Sequence, residues 1–358
     1  MRRPPGKRKK SSRHNSRNRI WNCLALAAAV LALLFAAQTI RLYREKTVSN
    51  QKTEEWRQRQ QEEQKASFAK ERNVIEYQGK TYQRNTYVKA ILLMGIDRPE
   101  TLEETKVAGS GGQADGIFLI AQDTARDKVK LLLIPRDTMT PITLTDLSGN
   151  VLGQDIQHLT LAYAYGDGRE KSCQYMKEAV TNLLEGLEID GYMAVSMEAL
   201  PVFNDAVGGV TVTITDESLA ESNPEFPLGE TVLLKGKQAE SYIRYRDTGK
   251  AQSALVRTER QKSYIQGFAQ AAREKARKDE GLVARMAEEV QSYMVTDMEK
   301  GQYMDMALAF LGSSQSFGQE DMLTLPGTAV ETNLYDEYYP EKEKILPIIL
   351  EMFYREEG

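Results

Sequence analysis

Residues 20–40, "IWNCLALAAAVLALLFAAQTI", contain no charged side chain, and this run constrains the chain more than any other feature. A helix of 21 residues rises roughly 30 Å, the thickness of the hydrocarbon core of a bilayer. Residues 1–19 contain nine Lys or Arg and no acid. The excess of positive charge predicts that this basic tail stays cytoplasmic and that residues 20–40 are a transmembrane signal-anchor helix. A cleaved signal peptide is the alternative.

In this topology the chain is a single-pass protein of the cell membrane, with the part after residue 40 extracytoplasmic. The whole chain has a net charge of −4, so with +9 in the tail the remainder carries −13. An acidic domain on the far side of the membrane argues against nucleic acid as a partner. The tail is expected to lie near anionic lipid instead.

Cysteine and histidine are too scarce to build a disulfide framework or a soft-metal cluster. Cys23 lies in the apolar run, which leaves Cys173 alone in the exported part, while the two histidines are His14 and His158. A metal in the exported part would therefore be held by oxygen ligands.

The rest of the chain divides by pattern into three parts. Residues 41–86 are rich in Gln, Glu, Lys and Arg, which predicts a polar helical stalk or linker. From residue 87 to about 280, apolar strand-like runs alternate with helical periodicity, as in "GIFLIAQDTARDKVKLLLIP". This alternation predicts one α/β or α+β domain with a central sheet. Residues 281–358 are expected to form a helical extension packed on that domain.

Arginines cluster where predicted strands and helices meet loops. In "YIRYR", Arg244 and Arg246 would share a face of an extended segment, and in "RTERQ", Arg257 and Arg260 would share a helix face. Guanidinium pairs match the geometry of a phosphate or pyrophosphate. Solvated salt bridges with neighbouring acids are the alternative for each arginine taken alone.

Three acids, Asp97, Asp115 and Asp137, lie at strand ends or just before a strand. Two carboxylates and a diphosphate can hold Mg²⁺, and a carboxylate beside an acceptor hydroxyl can act as general base. Ordinary turn chemistry is the other interpretation of aspartate at such positions. The motifs GxSxG, HExxH and the P-loop are absent from the sequence, so common hydrolase and nucleotide mechanisms have no support.

Seven segments follow one another along the chain: "ILLMGIDR" (91–98), "ADGIFLIAQD" (114–123), "LLLIPRDT" (131–138), "LAYAYGDG" (161–168), "DAVGGVTV" (205–212), "YIRYR" (242–246) and "RTERQ" (257–261). In this order they resemble the LytR-CpsA-Psr family of cell-wall ligases, and the resemblance covers approximately residues 89–275. The later "YDEYYPEKEKI" resembles the C-terminal tail of the family.

This resemblance implies an α/β/α domain with a central mixed β-sheet and an apolar groove for a polyprenyl chain. It further implies a Mg²⁺-assisted phosphotransferase that moves a glycopolymer, such as a teichoic acid or capsular polysaccharide, from polyprenyl pyrophosphate onto peptidoglycan. The expected partners are the polyprenyl (pyro)phosphate lipid, the glycopolymer, peptidoglycan and the membrane.

Site residues follow from the resemblance position by position. The catalytic residues would be Asp97, Asp115, Arg136 and Asp137, with Asp115 as metal ligand. The pyrophosphate-binding residues would be Arg98, Arg136, Arg244, Arg246, Arg257, Arg260 and Gln261.

The chain departs from the family pattern at three places. Gln113 stands where the family has an arginine, Leu161 replaces the histidine of an Asn-His pair, and Ala254 replaces an acid three residues before Arg257. Alanine cannot coordinate a metal, so one Mg²⁺ ligand is missing. The alternative function is therefore a family member that binds polyprenyl-phosphate lipid without turnover, as a carrier, sensor or assembly factor. Hydrolysis of the lipid pyrophosphate is a further alternative, as a side activity.

Overall fold

The computed structural model describes residues 74–98, 101–105, 107–247, 249–250, 253–313, 317–332 and 336–357. The predicted basic tail, the predicted transmembrane helix and the predicted stalk up to residue 73 lie outside the described residues. Among the helices of the described ranges, none combines the length and the apolar character that crossing a bilayer requires.

Most strands of the described residues pair with the strand that comes directly before or after them in the sequence. They are β1 (Val74–Tyr77), β2 (Lys80–Arg84), β3 (Val88–Ile96), β4 (Ala114–Asp123), β5 (Lys128–Leu133), β6 (Met139–Thr145), β7 (Val151–His158), β8 (Gly191–Ser196), β9 (Val210–Thr213), β10 (Thr231–Leu234), β11 (Met294–Thr296), β12 (Met322–Thr324), β13 (Gly327–Glu331), β14 (Asp336–Pro340) and β15 (Tyr354–Glu356).

The helices of the described residues range from one turn to almost seven turns. They are α1 (Leu161–Ala164), α2 (Glu170–Leu183), α3 (Leu200–Ala206), α4 (Glu217–Ser222), α5 (Lys237–Arg244), α6 (Ser253–Ala276), α7 (Leu282–Glu289), α8 (Lys300–Gly312) and α9 (Lys342–Phe353). Single 3₁₀ turns occur at Met197–Ala199, Gln291–Tyr293 and Gln319–Asp321.

A six-stranded sheet in the order β11-β8-β3-β4-β5-β12 forms the centre of the fold. The pairs β3–β8 and β5–β12 are parallel, whereas β11–β8, β3–β4 and β4–β5 are antiparallel. The alternating strands and helices of the sequence therefore produce a mixed sheet, and the prediction of an α/β fold with a central mixed sheet is confirmed.

The two faces of the sheet are covered differently. On one face, Leu92, Met94 and Leu119 are fully buried in a core that includes residues of α2 and α9, such as Met176 and Ile349. On the other face, Leu131, Leu133 and Met322 form a small cluster to which Ile265 of α6 contributes. Helices on both faces explain why the strand sequences are apolar along nearly their whole length.

Strands β9 and β10 form a separate antiparallel ribbon. Its apolar side packs into a further core with α5 and α6, centred on Val210, Phe226, Tyr242 and Tyr264. The middle and second half of the long helix α6 pack on this side, at Tyr264 and Ala272, and the basic segment "RTERQ" lies nearer its start.

Two parts of the predicted organisation look different in the structure. Residues 74–84, the last part of the predicted stalk, form the β1–β2 hairpin, to which β15 adds a third strand. Its turn places Gln78 and Gly79 at φ of 49° and 77°, as a tight hairpin turn requires. The C-terminal region 281–358 has helices α7–α9, but it also supplies the sheet strands β11 and β12.

Candidate functional site

A bulge between β3 and β4 brings two of the predicted acids to the same end of the sheet. The pairing passes from Gly95↔Gly116 to Ile96↔Ala114, so Asp115 has no partner in the register. A bulge of this kind redirects the side chain of the extra residue. Asp97 follows directly, and its N–H donates to the carbonyl of Gln113 at 2.8 Å.

Gly112 allows this close approach of the two chain segments. Its φ is +91°, and a Cβ at this position would lie 3.0 Å from the carbonyl oxygen of Asp97. A residue with a side chain would be strained in this conformation, so glycine is required where the segment passes the end of β3.

Arg136 joins the acids from the neighbouring strand. Because β5 is antiparallel to β4, the segment after β5 lies beside the start of β4. The guanidinium of Arg136 forms an ion pair with Asp115, and its Nε donates to Oδ1 of Asp137 at 3.2 Å. Burial lowers the pKa of Arg136, but the charges of Asp115 and Asp137 outweigh it, so the pKa is raised overall. Arg136 is therefore firmly cationic.

The end of α5 contributes two more arginines. Helix α5 ends at Arg244, and the following Tyr245 is extended, with ψ of 136°. The prediction of a continuous extended segment over 242–246 is wrong, because Tyr242 and Ile243 are buried on the apolar face of a helix. The helix end separates the two arginines: Arg244 pairs with Asp97 at 2.5 Å and with Glu240 at 3.0 Å.

Arg246 is held by three groups. Its Nε donates to Oγ of Ser253 at 3.0 Å, Nη1 lies 3.7 Å from Oδ2 of Asp137, and Nη2 forms an ion pair with Asp336. Asp137 thus lies between Arg136 and Arg246, and it links the segment after β5 to the segment after α5.

Arg257, in the first turns of α6, has a different environment. It is only 8% exposed, and within the described part of the chain no group accepts a hydrogen bond from it or forms an ion pair with it. Burial, followed by the charge of Arg136, lowers its pKa to about 10, although Asp115 and Asp137 act in the opposite direction. Arg257 is still protonated at neutral pH. A buried cation without an anionic partner is costly and indicates a place for an anion.

Arg260, three residues later on the same helix, lies in a different setting. It is 3% exposed, its Nε donates to the carbonyl of Tyr242 at 2.9 Å, and it forms hydrogen bonds with the carbonyl of Tyr245 and with Asp216. All three guanidinium nitrogens of Arg260 therefore donate hydrogen bonds to other groups of the protein. Its role as a pyrophosphate ligand stays a prediction.

Among the described residues, the side chains of two other predicted ligands, Arg98 and Gln261, form no hydrogen bond or ion pair with the arginine–carboxylate group, which consists of Asp97, Asp115, Arg136, Asp137, Arg244, Arg246 and Arg257. Arg98 donates from Nη1 to the carbonyl of Glu103 at 2.9 Å, which turns it toward the loop after β3. Gln261 is half-buried on α6. Their roles in binding a ligand stay predictions.

Two acids of this region, Asp216 and Asp336, were missed from sequence. Asp216 caps α4 by accepting hydrogen bonds from the N–H groups of Ser218 and Leu219, and it pairs with Arg260. An aspartate before "ESLAE" is a recognisable N-cap signal, but it does not predict the arginine partner. Asp336 lies 90 positions after Arg246, and no spacing rule connects them.

The donor set fits a cation only in part. Oδ2 of Asp137 is buried and accepts no hydrogen bond from the described residues, so it is available as an oxygen ligand. Asp115 is already paired with Arg136. The described residues contain no group of three or more His, Cys, Asp or Glu that could hold a metal. An octahedral Mg²⁺ would therefore need oxygens from a ligand to complete its shell.

Beside this group, the second face of the sheet is incompletely covered. Phe118, Ile120 and Val129 of the sheet, together with Ile265 of α6, are only half-buried. Helix α8 contacts α6 and α7, yet no residue of α8 is buried, although its sequence is "KGQYMDMALAFLG". The predicted apolar groove stays a prediction, and this face is one place where apolar side chains are partly accessible.

Comparison with known families gives one extensive match. The model of the LytR_cpsA_psr family matches residues 42–351. This range contains all six strands of the central sheet and also the segments that carry the resemblance.

Two curated relatives have the same printed name, polyisoprenyl-teichoic acid–peptidoglycan teichoic acid transferase TagU. The protein from Oceanobacillus iheyensis is 31% identical over 181 residues, which is 49% of this chain and 49% of the relative. The protein from Halalkalibacterium halodurans is 25% identical over 256 residues, 71% of this chain and 75% of the relative. The chain thus spans about half the length of the first relative and three quarters of the second.

A solved structure described as "TagT bound to LI-WTA" is similar in fold. It superimposes with a TM-score of 0.55 at 18% identity, over 75% of this chain and 90% of the other. At this level of identity the similarity concerns the fold.

Proposed function

The chain belongs to the LytR_cpsA_psr family, and from this membership we propose that it is a membrane-anchored phosphotransferase of the cell envelope. Its proposed reaction transfers a glycopolymer of the teichoic acid or capsular polysaccharide type from polyprenyl pyrophosphate to a hydroxyl of peptidoglycan. The observation that carries the proposal is the buried guanidinium of Arg257, which has no acid partner among the described residues and lies near Arg136 and Arg246.

Four arginines, referred to below as the arginine group, supply the diphosphate site: Arg136, Arg244, Arg246 and Arg257. The guanidinium of Arg257 has no bonding partner among the described residues and can face the ligand. The other three arginines are each oriented by a carboxylate. Phosphoryl transfer depends chiefly on positioning and on neutralising charge in the transition state. Fixed arginines around one unpaired arginine provide both, because they are in place before the ligand arrives.

The transfer step needs one proton acceptor. The oxygen of the acceptor hydroxyl bonds to the phosphorus on the glycopolymer side, and the bond from this phosphorus to the bridging oxygen breaks. Polyprenyl phosphate leaves with that oxygen and its electron pair. The hydroxyl proton passes to a carboxylate, for which Asp137 is favoured by its Oδ2, buried and without a hydrogen bond from the described residues. Asp97 is the second candidate, since it lies at the same end of the sheet.

Mg²⁺ stays part of the proposal with a limited role. Asp115, with two diphosphate oxygens, would hold it, and the cation would supply additional charge neutralisation. With Ala254 in place of an acid, the arginines carry more of this neutralisation than the resemblance implies.

The lipid tail is assigned to the half-buried face of the sheet. Phe118, Ile120 and Ile265 are partly exposed apolar residues beside the arginine group. Placing an isoprenoid chain there would remove this surface from water, at about 25 cal/mol for each Å². Residues 20–40 are the proposed membrane anchor, which would keep the domain near its lipid donor.

Transfer assayed with the purified full chain tests the proposal. The protein is mixed with a glycopolymer linked to polyprenyl pyrophosphate and with peptidoglycan, and both the phosphodiester product and released polyprenyl phosphate are quantified. Wild-type protein is expected to form both products in equal amounts, and Arg257→Met to lose about 100-fold in rate. An Arg257→Met rate equal to that of the wild type would overturn the proposal.

The same assay separates the two alternatives. Donor binding without any product would favour a lipid-binding carrier, sensor or assembly factor. Release of polyprenyl phosphate without attachment to peptidoglycan would favour a pyrophosphatase.

A further inference from the structure

The C-terminal strand β14 brings a carboxylate to the arginine group. Asp336 is the first residue of β14, and its carboxylate forms an ion pair with Nη2 of Arg246. Oδ2 of Asp137 lies 3.7 Å from Nη1 of the same guanidinium. One arginine is therefore shared between two acids, while the neighbouring Arg257 has none among the described residues.

Backbone contacts fix β14 in this place. The N–H of Tyr338 donates to the carbonyl of Asp137 at 2.9 Å, and Tyr338 forms a parallel bridge with Thr138. The carbonyl oxygen of Asp336 lies 3.0 Å from Nε2 of His158. Because these bonds hold the backbone from the carbonyl of Asp336 to Tyr338, the Asp336 carboxylate can leave Arg246 by rotation of its side chain.

A competing anion can replace Asp336 in its ion pair with Arg246. The side chain of Asp336 is 29% exposed and that of Arg246 is 17% exposed, so both reach solvent. By contrast, the Asp216–Arg260 pair is almost completely buried. A partly exposed pair is weak, and a ligand with a higher negative charge can replace its carboxylate.

We propose that Asp336 is a residue of the diphosphate site, where it serves as the counter-ion of Arg246 until a bound diphosphate displaces it. This inference rests on the proposed function, since it assumes that the arginine group binds a diphosphate. Arg246 keeps its position when Asp336 leaves, because Ser253 still accepts a hydrogen bond from its Nε.

Displacement has a consequence for affinity. Breaking the Asp336–Arg246 pair opposes ligand binding, so removal of the Asp336 charge strengthens diphosphate binding. The effect requires only that the diphosphate and Asp336 use the same guanidinium. A residue that merely oriented Arg246 would have the opposite effect, because its removal would weaken binding.

The test is calorimetric titration of the detergent-solubilised full chain with inorganic pyrophosphate, in low salt and without divalent cations. Asp336→Asn is expected to bind pyrophosphate about fivefold more tightly than the wild type, with the gain shrinking at high salt. Asp336→Glu keeps the charge and is expected to bind as the wild type does. Asp336→Ser also removes the carboxylate and replaces Asp336→Asn if the latter does not fold.

The matched control is Asp279→Asn. Asp279 forms an ion pair with Arg285 beyond the far end of α6, so the change in net charge is the same but lies away from the arginine group. Its affinity for pyrophosphate is expected to stay within twofold of the wild type. An equal gain in Asp279→Asn, or an unchanged or weaker affinity in Asp336→Asn, would overturn the role of Asp336.

Arg257→Met separates this inference from the proposed function. If the wild type binds pyrophosphate and Arg257→Met does not, the diphosphate site stands whatever Asp336 does. If Arg257→Met binds as the wild type does, or the wild type binds no pyrophosphate, the proposed function and the role of Asp336 both fail.

Discussion

The Nε–H of Arg260 donates to the carbonyl oxygen of Tyr242 at 2.9 Å, across the contact between α6 and α5. The same guanidinium bonds the carbonyl of Tyr245 and the carboxylate of Asp216. These bonds hold the chain on both sides of Arg244 and immediately before Arg246. Arg257 and Arg260 are three residues apart in one motif. Arg260 is fully bonded to other groups of the protein, whereas Arg257 has no acid partner among the described residues.

Arg260→Met is expected to lower the free energy of unfolding by about 3 kcal/mol, because it leaves Asp216 buried and without its cation. Chemical denaturation measures the change. Arg285→Met, which breaks an exposed ion pair, is the control and is expected to change stability by less than about 1 kcal/mol. Equal effects of the two substitutions would contradict the structural role of Arg260.

Arg257→Met is expected to act in the opposite direction, with a gain of about 1–2 kcal/mol in the free energy of unfolding. The substitution removes a buried charge whose pKa is lowered by burial and by Arg136, and it puts an apolar side chain in its place. Denaturation of the ligand-free protein in the same buffer as Arg260→Met tests it. A loss of stability larger than 1 kcal/mol would indicate that Arg257 has a stabilising partner.

Substitutions at two neighbouring residues of β4 are expected to have different effects, one on lipid binding and the other on stability. Leu119 is fully buried on one face of the sheet, whereas Ile120 is half-buried on the other. Ile120→Ala is expected to weaken binding of polyprenyl phosphate about threefold to tenfold. Leu119→Ala is expected to leave the dissociation constant unchanged but to lower stability by about 2–5 kcal/mol.

Lipid affinity is measured well below the melting temperature of both variants. A larger loss of affinity in Leu119→Ala than in Ile120→Ala would contradict the placement of the lipid tail on the half-buried face of the sheet.

Ala254→Asp is expected to increase Mg²⁺ affinity in the presence of pyrophosphate by about tenfold, since it restores a carboxylate three residues before Arg257. Titration of Mg²⁺ against the pyrophosphate-bound protein measures it. Ala254→Asn, which has a similar size without the charge, is the control. If both variants bind Mg²⁺ as the wild type does, position 254 has no part in holding the cation.

The sequence was most informative where the chain is regular. The apolar runs around Leu92, Leu119 and Leu132 predict strands, and two-sided burial in the sheet explains why they lack polar alternation. The spacing of four and three residues between Met176, Val180 and Leu183 likewise predicts the buried face of α2. Local pattern is sufficient here because burial depends on residue type and period.

The site was less predictable because its contacts join distant segments. The position of Asp115 depends on the bulge opposite Gly95, and nothing in the strand sequence marks one residue as unpaired. The division of roles between Arg257 and Arg260 depends on where Asp216 lies, 44 positions before Arg260. The pairing of Arg246 with Asp336 depends on the path of the C-terminal strand, which local spacing does not encode.

The most direct test of the central claim is a crystal structure of this protein with a polyprenyl diphosphate. We expect a phosphate oxygen within about 3 Å of the guanidinium nitrogens of Arg257, with Arg136 and Arg246 contacting the same diphosphate. A diphosphate bound elsewhere, with Arg257 still lacking an anionic partner, would contradict the assignment of this arginine group as the site of phosphoryl transfer.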